Sequence, residues 1–124
     1  MKTKQPVNLN LFTIRFPVPA IVSILHRISG ILLFLAIPFI LYLLKVSLAS
    51  EESFLDLRQS LVSPLSKGLM LCLLAAFFYH FVAGIRHLFM DMGCGDELAN
   101  GRKSAIWTLL IVILLVVLTG IWLW

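Results

Sequence analysis

A chain of 124 residues in which 60% are hydrophobic and only 13% charged is not an ordinary water-soluble domain, because its apolar excess has to face lipid. The formal charge of +4 does not mark a nucleic-acid binder, since the basic residues are scattered at the ends of apolar blocks rather than gathered on one face. The two cysteines, Cys72 and Cys94, form neither a C-x-x-C pair nor a haem-attachment motif, so they imply no disulfide and no covalent haem.

In chain order, a polar or mixed segment (residues 1–19) precedes three apolar blocks at residues 28–44, 68–85 and 105–124. A helix rising about 1.5 Å per residue needs about 20 residues to cross about 30 Å of hydrocarbon. Residues 20–25 and 64–67 bring the first two blocks to that length. The first block lies behind a tail and is followed by no small-residue cleavage pattern, so it is read as a span and not as a secretion signal. The expectation is one all-α membrane-anchor domain over residues 1–124. It comprises a cytoplasmic tail 1–19, helix 20–45, periplasmic loop 46–63, helix 64–90, cytoplasmic loop 91–104 and helix 105–124.

Local signals mark these boundaries. Pro38 removes one backbone hydrogen bond inside the first span and bends it, a common feature in membranes. Residues 50–63 mix Phe54, Leu55, Leu57 and Leu61 with charges and fit either a short interfacial helix or an irregular cap. Ser63 is placed to cap a helix whose first position is Pro64. Gly93, Cys94 and Gly95 form a stop, and Trp107, Trp122 and Trp124 suit interfacial anchoring.

Charge sets the orientation. Lys2, Lys4, Arg15, Arg27, Arg86, Arg102 and Lys103 fall on one side of three crossings, against Lys45, Arg58 and Lys67 on the other. The positive-inside rule then puts the N-terminus in the cytoplasm.

The third span carries Thr108 and Thr119 as its polar side chains between its ends and reads as packing and lipid contact. In the second, His80 lies deep in an apolar segment, where an ionisable group is costly unless it is paired or ligates something. Neutral imidazole is a standard axial ligand of haem iron. The competing reading is a histidine hydrogen-bonded to a neighbouring helix. Gly84, one turn on, leaves room for the edge of a flat macrocycle or equally for another helix.

His87, seven residues after His80, lies about 10 Å further along the axis, so the two cannot oppose each other on one iron. Counting from the helix ends puts His26 level with His87 and His80 about 10 Å deeper than both. On that count this chain supplies one axial ligand and a partner membrane chain the other. His26 and His87 read equally well as interfacial hydrogen-bonding groups.

Arg27 and Arg86 are at a depth to meet haem propionates, or else snorkel to lipid phosphates. Ser23 and Arg27, four residues apart on one helix face, form a polar patch suited to the oxygens of a quinone headgroup. By itself a lone serine beside an interfacial arginine is a weak signal.

Taken together, these residues carry a resemblance. The tail Pro6-Val7-Asn8-Leu9-Asn10-Leu11 with Thr13-Ile14-Arg15-Phe16-Pro17, the motif S-x-x-H-R-x-x-G at Ser23, His26, Arg27 and Gly30, and the motif H-x-x-x-G-x-R-H-x-x-x-D at His80, Gly84, Arg86, His87 and Asp91 follow one another along the chain. The whole resembles the cytochrome b membrane-anchor subunits of succinate dehydrogenase, the larger of two anchors in respiratory complex II. The N-terminal S-P-H-x-x-x-Y element of mitochondrial-type members is absent, and Gln5-Pro6 stands where related bacterial members often have Arg-Pro, which points to the bacterial branch.

The resemblance implies a three-helix anchor in the bacterial inner membrane, paired with a second three-helix anchor and docking an iron–sulfur subunit and a flavoprotein subunit on the cytoplasmic side. It implies haem b shared with the partner anchor, with His80 as axial ligand and His26 and Arg27 near the propionates. It also implies ubiquinone at Ser23 and Arg27. Arg86 and His87 belong to the same cofactor level, and Asp91 to a proton path at the cytoplasmic edge. FAD and iron–sulfur clusters belong to partner subunits, for the chain has no nucleotide fingerprint and no cluster-binding cysteine set. The chain is then an enzyme component and not a catalytic head. The alternatives are a fumarate reductase-type anchor, a small transport or proton-conducting component using His80, Arg86 and Asp91 as relay groups, and a purely structural anchor without haem.

Overall fold

The computed structural model describes residues 15–93 and 98–124, which fold entirely as helix and connecting turns. The elements are α1 (Val18–Ser47), α2 (Glu51–Leu61), α3 (Pro64–Asp91) and α4 (Leu98–Leu123). Three of them are long and apolar enough to cross a membrane: Val18–Ser47, Pro64–Asp91 and Asn100–Leu123. Lys2, Lys4, Cys94, Gly95 and the tail motif before Arg15 lie outside the described residues.

Each boundary has a local cause. Pro17 precedes α1 in an extended conformation and its carbonyl accepts from Ala20 N–H at 2.9 Å. The helix then runs through Pro38 to Ser47. Residues 50–63 resolve as a helix and not an irregular cap. The Ser50 hydroxyl accepts from Ser53 N–H at 3.1 Å, and Glu51 and Glu52 occupy the positive end of the helix dipole. Ser63 caps α3 in the same way, accepting from Ser66 N–H at 3.2 Å with Pro64 following it. Gly93 closes α3 at φ +80°, a left-handed conformation that needs glycine, and donates to the Met90 carbonyl at 2.9 Å. The last helix begins at Leu98, ahead of the expected residue 105, because Arg102, Lys103 and Ser104 form its polar first turns instead of a loop.

α3 is the central helix, packed against both α1 and α4, which touch each other less extensively. One small or β-branched residue from each spanning helix is completely buried: Val22, Ala83 and Ala105. This cluster, flanked by Val18, Tyr79 and Leu109, holds the bundle at the end where α1 begins and α3 finishes. The remaining faces are open. No more than 11% of any spanning window is buried inside the chain, and side chains such as Phe34, Leu35 and Ile121 are 71%, 65% and 72% exposed. Surface of that size and polarity is tolerated only against lipid or another apolar protein face.

Candidate functional site

The site grows out of the antiparallel register between α1 and α3. Gly30 of α1 lies against the His80 ring so closely that a Cβ there would come within 2.9 Å of Cε1 and 3.4 Å of Nδ1. One turn away the relation is reversed: Gly84 of α3 lies against His26, and a Cβ at Gly84 would meet Nε2 at 3.3 Å. Each helix thus offers a gap where the other offers an imidazole, which lets the backbones approach as small residues do elsewhere in membrane bundles. Next to this pair, Tyr79 donates from its hydroxyl to the Val22 carbonyl at 2.9 Å and adds a second tie between the helices.

The hydrogen bonds fix the state of His80. Its Nδ1 is 3.1 Å from the His26 carbonyl oxygen and 3.2 Å from the Ser29 hydroxyl oxygen. A carbonyl only accepts, so Nδ1 carries the proton. The Ser29 hydroxyl donates its own proton to the same carbonyl at 2.8 Å and receives from Nδ1–H. In the neutral ring Nε2 therefore keeps its lone pair. A histidine whose outer nitrogen donates to a backbone carbonyl has the tautomer and orientation found in metal-ligating imidazoles. The hydrogen bond to a neighbouring helix, the competing reading from the sequence, is present and uses the nitrogen that ligation does not need.

The three histidines form a row. His26 stacks on His80 with centroids 4.2 Å apart and planes at 10°, and His87 follows at 5.1 Å from His26, tilted by 48°. This corrects the expectation that His26 is level with His87 and two turns from His80. Depth counted from helix ends ignores how the helices slide past one another. The glycine gaps set the slide, and His26 faces Gly84, about 6 Å along the axis from His80. His26 still does not oppose His80 across one iron. The lone pairs of face-to-face stacked rings lie in parallel planes and do not point at each other. Among the described residues no group of three or more His, Cys, Asp or Glu side chains forms a metal-ion site.

Arg86 occupies a different face. Six positions after His80 it is turned about 120° around α3, and it is buried at 6% exposure against α4. There Nε donates to the Ser104 hydroxyl at 3.0 Å and Nη2 to the Gly101 carbonyl at 3.2 Å. Its hydrogen bonds are directed into the α3–α4 seam, away from the histidine row. Thr108, also buried, donates to the Ser104 carbonyl at 3.0 Å and completes that seam.

Ser23 and Arg27 stay together on α1, one position beyond Val22 and His26 and so about 100° around from the face that packs on α3. Arg27 is exposed, Ser23 is half-buried, and neither is drawn into the histidine row. Asp91 is the exposed last residue of α3. Ser29 was passed over by sequence reasoning. The available signal was its position three residues after His26, within reach of that residue's carbonyl.

The comparisons with known proteins agree in kind. Residues 1–119 match the family described as succinate dehydrogenase/fumarate reductase transmembrane subunit. A succinate dehydrogenase cytochrome b556 subunit of Coxiella burnetii is 44% identical over the full length of both chains. The cytochrome b556 subunit of Paracoccus denitrificans is 34% identical, with 82% of this chain and 78% of the relative covered. A cytochrome b560 subunit of Reclinomonas americana is 30% identical, with 81% and 73% covered. With three apolar spanning helices and such bacterial relatives, this is a multi-pass protein of the bacterial inner membrane.

Proposed function

The chain belongs to the succinate dehydrogenase/fumarate reductase transmembrane subunit family, as a cytochrome b-type anchor, and from that premise we propose that it binds haem b and helps to form the site where ubiquinone is reduced. The observation that carries this reading is the His80 ring, with Nδ1–H bound to the His26 carbonyl and the Nε2 lone pair left over. His80 is the residue of this chain that would hold the haem iron, and a second three-helix anchor would supply the other ligand. When bound, haem b provides a one-electron redox centre within the bundle. His26, Arg27 and His87 form the polar edge for its propionates, and Arg86 adds positive charge at that level while its hydrogen bonds hold α4.

The N-terminus is cytoplasmic in this reading, so the histidine row lies towards the side where iron–sulfur and flavoprotein subunits dock. FAD and iron–sulfur clusters in those chains would supply the electrons of succinate, and this chain's residues would bind and orient the ubiquinone that takes them up. Arg27 is exposed and Ser23 half-buried beside it, on a face of α1 that other chains can cover to complete a pocket. Ser23 donates a hydrogen bond to a quinone oxygen, and Arg27 stabilises the negative charge that develops there before protonation. Asp91 at the end of α3 supplies protons from the aqueous side.

The test is an optical spectrum of the purified membrane complex before and after dithionite, for the native chain and for His80→Ala. A b-type reduced spectrum that is lost or altered in the variant supports the reading. An unchanged low-spin spectrum with unchanged haem content rules out His80 as ligand.

A further inference from the structure

We propose that Ser29 is the positioning residue of His80: its hydroxyl holds the Nδ1 edge of the ring, as a second acceptor beside the His26 carbonyl that sets the tautomer, and tunes the donor strength of Nε2. The inference rests on the reading of His80 as haem ligand and goes beyond it, since it assigns a role to a side chain outside the ligand and quinone sets.

Ser29 is buried, at 5% exposure, on the α1 face that meets α3. A hydroxyl has one proton and two lone pairs, and here the proton is committed to the His26 carbonyl at 2.8 Å. The oxygen next to Nδ1 at 3.2 Å is therefore an acceptor, and a better one for having donated. With the His26 carbonyl at 3.1 Å, it gives the Nδ1 proton two acceptors on one short stretch of helix. The Gly30 backbone lies against the ring at Cε1, so the imidazole is confined on an edge and a side at once.

Acceptors on the outer N–H push electron density towards the coordinating nitrogen and raise its basicity. A more basic ligand favours ferric over ferrous iron, so the hydrogen bonds lower the midpoint potential of the haem. Ser29→Ala deletes one acceptor without adding bulk, and the expected result is an upward shift of the midpoint potential with the low-spin spectrum retained. Ser29→Thr keeps the hydroxyl and returns the potential towards the native value.

The experiment is an optical redox titration of the haem in the purified four-subunit complex for the native chain, Ser29→Ala and Ser29→Thr, with haem-to-flavin ratio measured alongside. An upward shift in the alanine variant that threonine reverses supports the proposal, as does haem loss in the alanine variant that threonine restores. An unchanged potential in the alanine variant, or the same change in both variants, overturns it. His80→Ala, titrated in parallel, separates the two claims: if its low-spin spectrum survives, the ligand assignment fails irrespective of Ser29.

Discussion

The two seams on α3 solve the same burial problem with opposite chemistry. Towards α4, a buried guanidinium is bonded to a hydroxyl and a carbonyl, and the neighbouring threonine bonds back to its own helix. Towards α1, the His80 imidazole is held, among the described residues, by one nitrogen, Gly30 makes room for it, and Gly84 does the same for His26. Among the described residues no buried side-chain nitrogen or oxygen lacks a partner, so the open valence of His80 is not a packing defect. A seam with its side-chain polar groups paired can only hold, whereas a seam that leaves a lone pair over has an acceptor to offer.

That contrast can be broken at several points. The largest effect belongs to the outward face of α1. Arg27→Ala and, to a lesser degree, Ser23→Ala should lower succinate:ubiquinone activity by roughly 100-fold for the arginine, the scale of losing one preorganised electrostatic contact. Electron transfer from succinate to a soluble artificial acceptor should persist. A two-acceptor assay on one preparation, normalised to flavin, checks this, and parallel loss of both activities would make the pair structural.

Gly30→Ala comes next. Its Cβ would fall 2.9 Å from the His80 ring, so the ring has to move, and displaced supports of this kind cost roughly 10–100-fold in metal-group affinity. Haem-to-flavin ratio in the purified complex reads the loss. A full complement with a native spectrum would show that α1 does not confine the ring.

Arg86→Ala sharpens the comparison from the other side. It removes two charge-assisted hydrogen bonds from the seam, leaving the Ser104 hydroxyl to donate to the Gly101 carbonyl at 3.0 Å, at a cost of about 1–3 kcal/mol, and should lower the thermal midpoint of the assembled complex. The haem spectrum should stay native. If the spectrum changes before stability does, the two seams are not separable. The smallest effect is Gly93→Ala, where no described neighbour lies within 4 Å of the added Cβ and the left-handed backbone resists, at about 1 kcal/mol. A thermal melt that falls by much more than Arg86→Ala would contradict this ordering.

The spans were legible in the sequence because lipid imposes a length and a composition that few other environments require. Register was not. His26 and His80 could be placed along their own helices, but their proximity depends on how far α1 slides against α3, which is decided by where Gly30 and Gly84 fall opposite the rings. The partners of Arg86 were hidden for a related reason: Gly101 and Ser104 sit in a stretch whose charges read as loop, and only as a helical turn do they face α3. Ser29 shows the limit of motif reading from the other direction. A serine inside a helix is too common to stand out until the carbonyl beside it is known to be shared.

That shared acceptor has a consequence for mutational scanning. The oxygen that receives the His80 proton belongs to the backbone at residue 26, so every amino acid substituted there still presents it, including glycine and alanine. A substitution scan of His26 reports on its ring alone and passes over its other contribution. Single-residue insertions or deletions between residues 26 and 30 would expose it, because each rotates the carbonyl by about 100° relative to Gly30 and the rest of α1 while leaving composition almost unchanged. Tolerance to substitution at this position, combined with intolerance to a change of phase, would be the genetic signature of a main-chain contact.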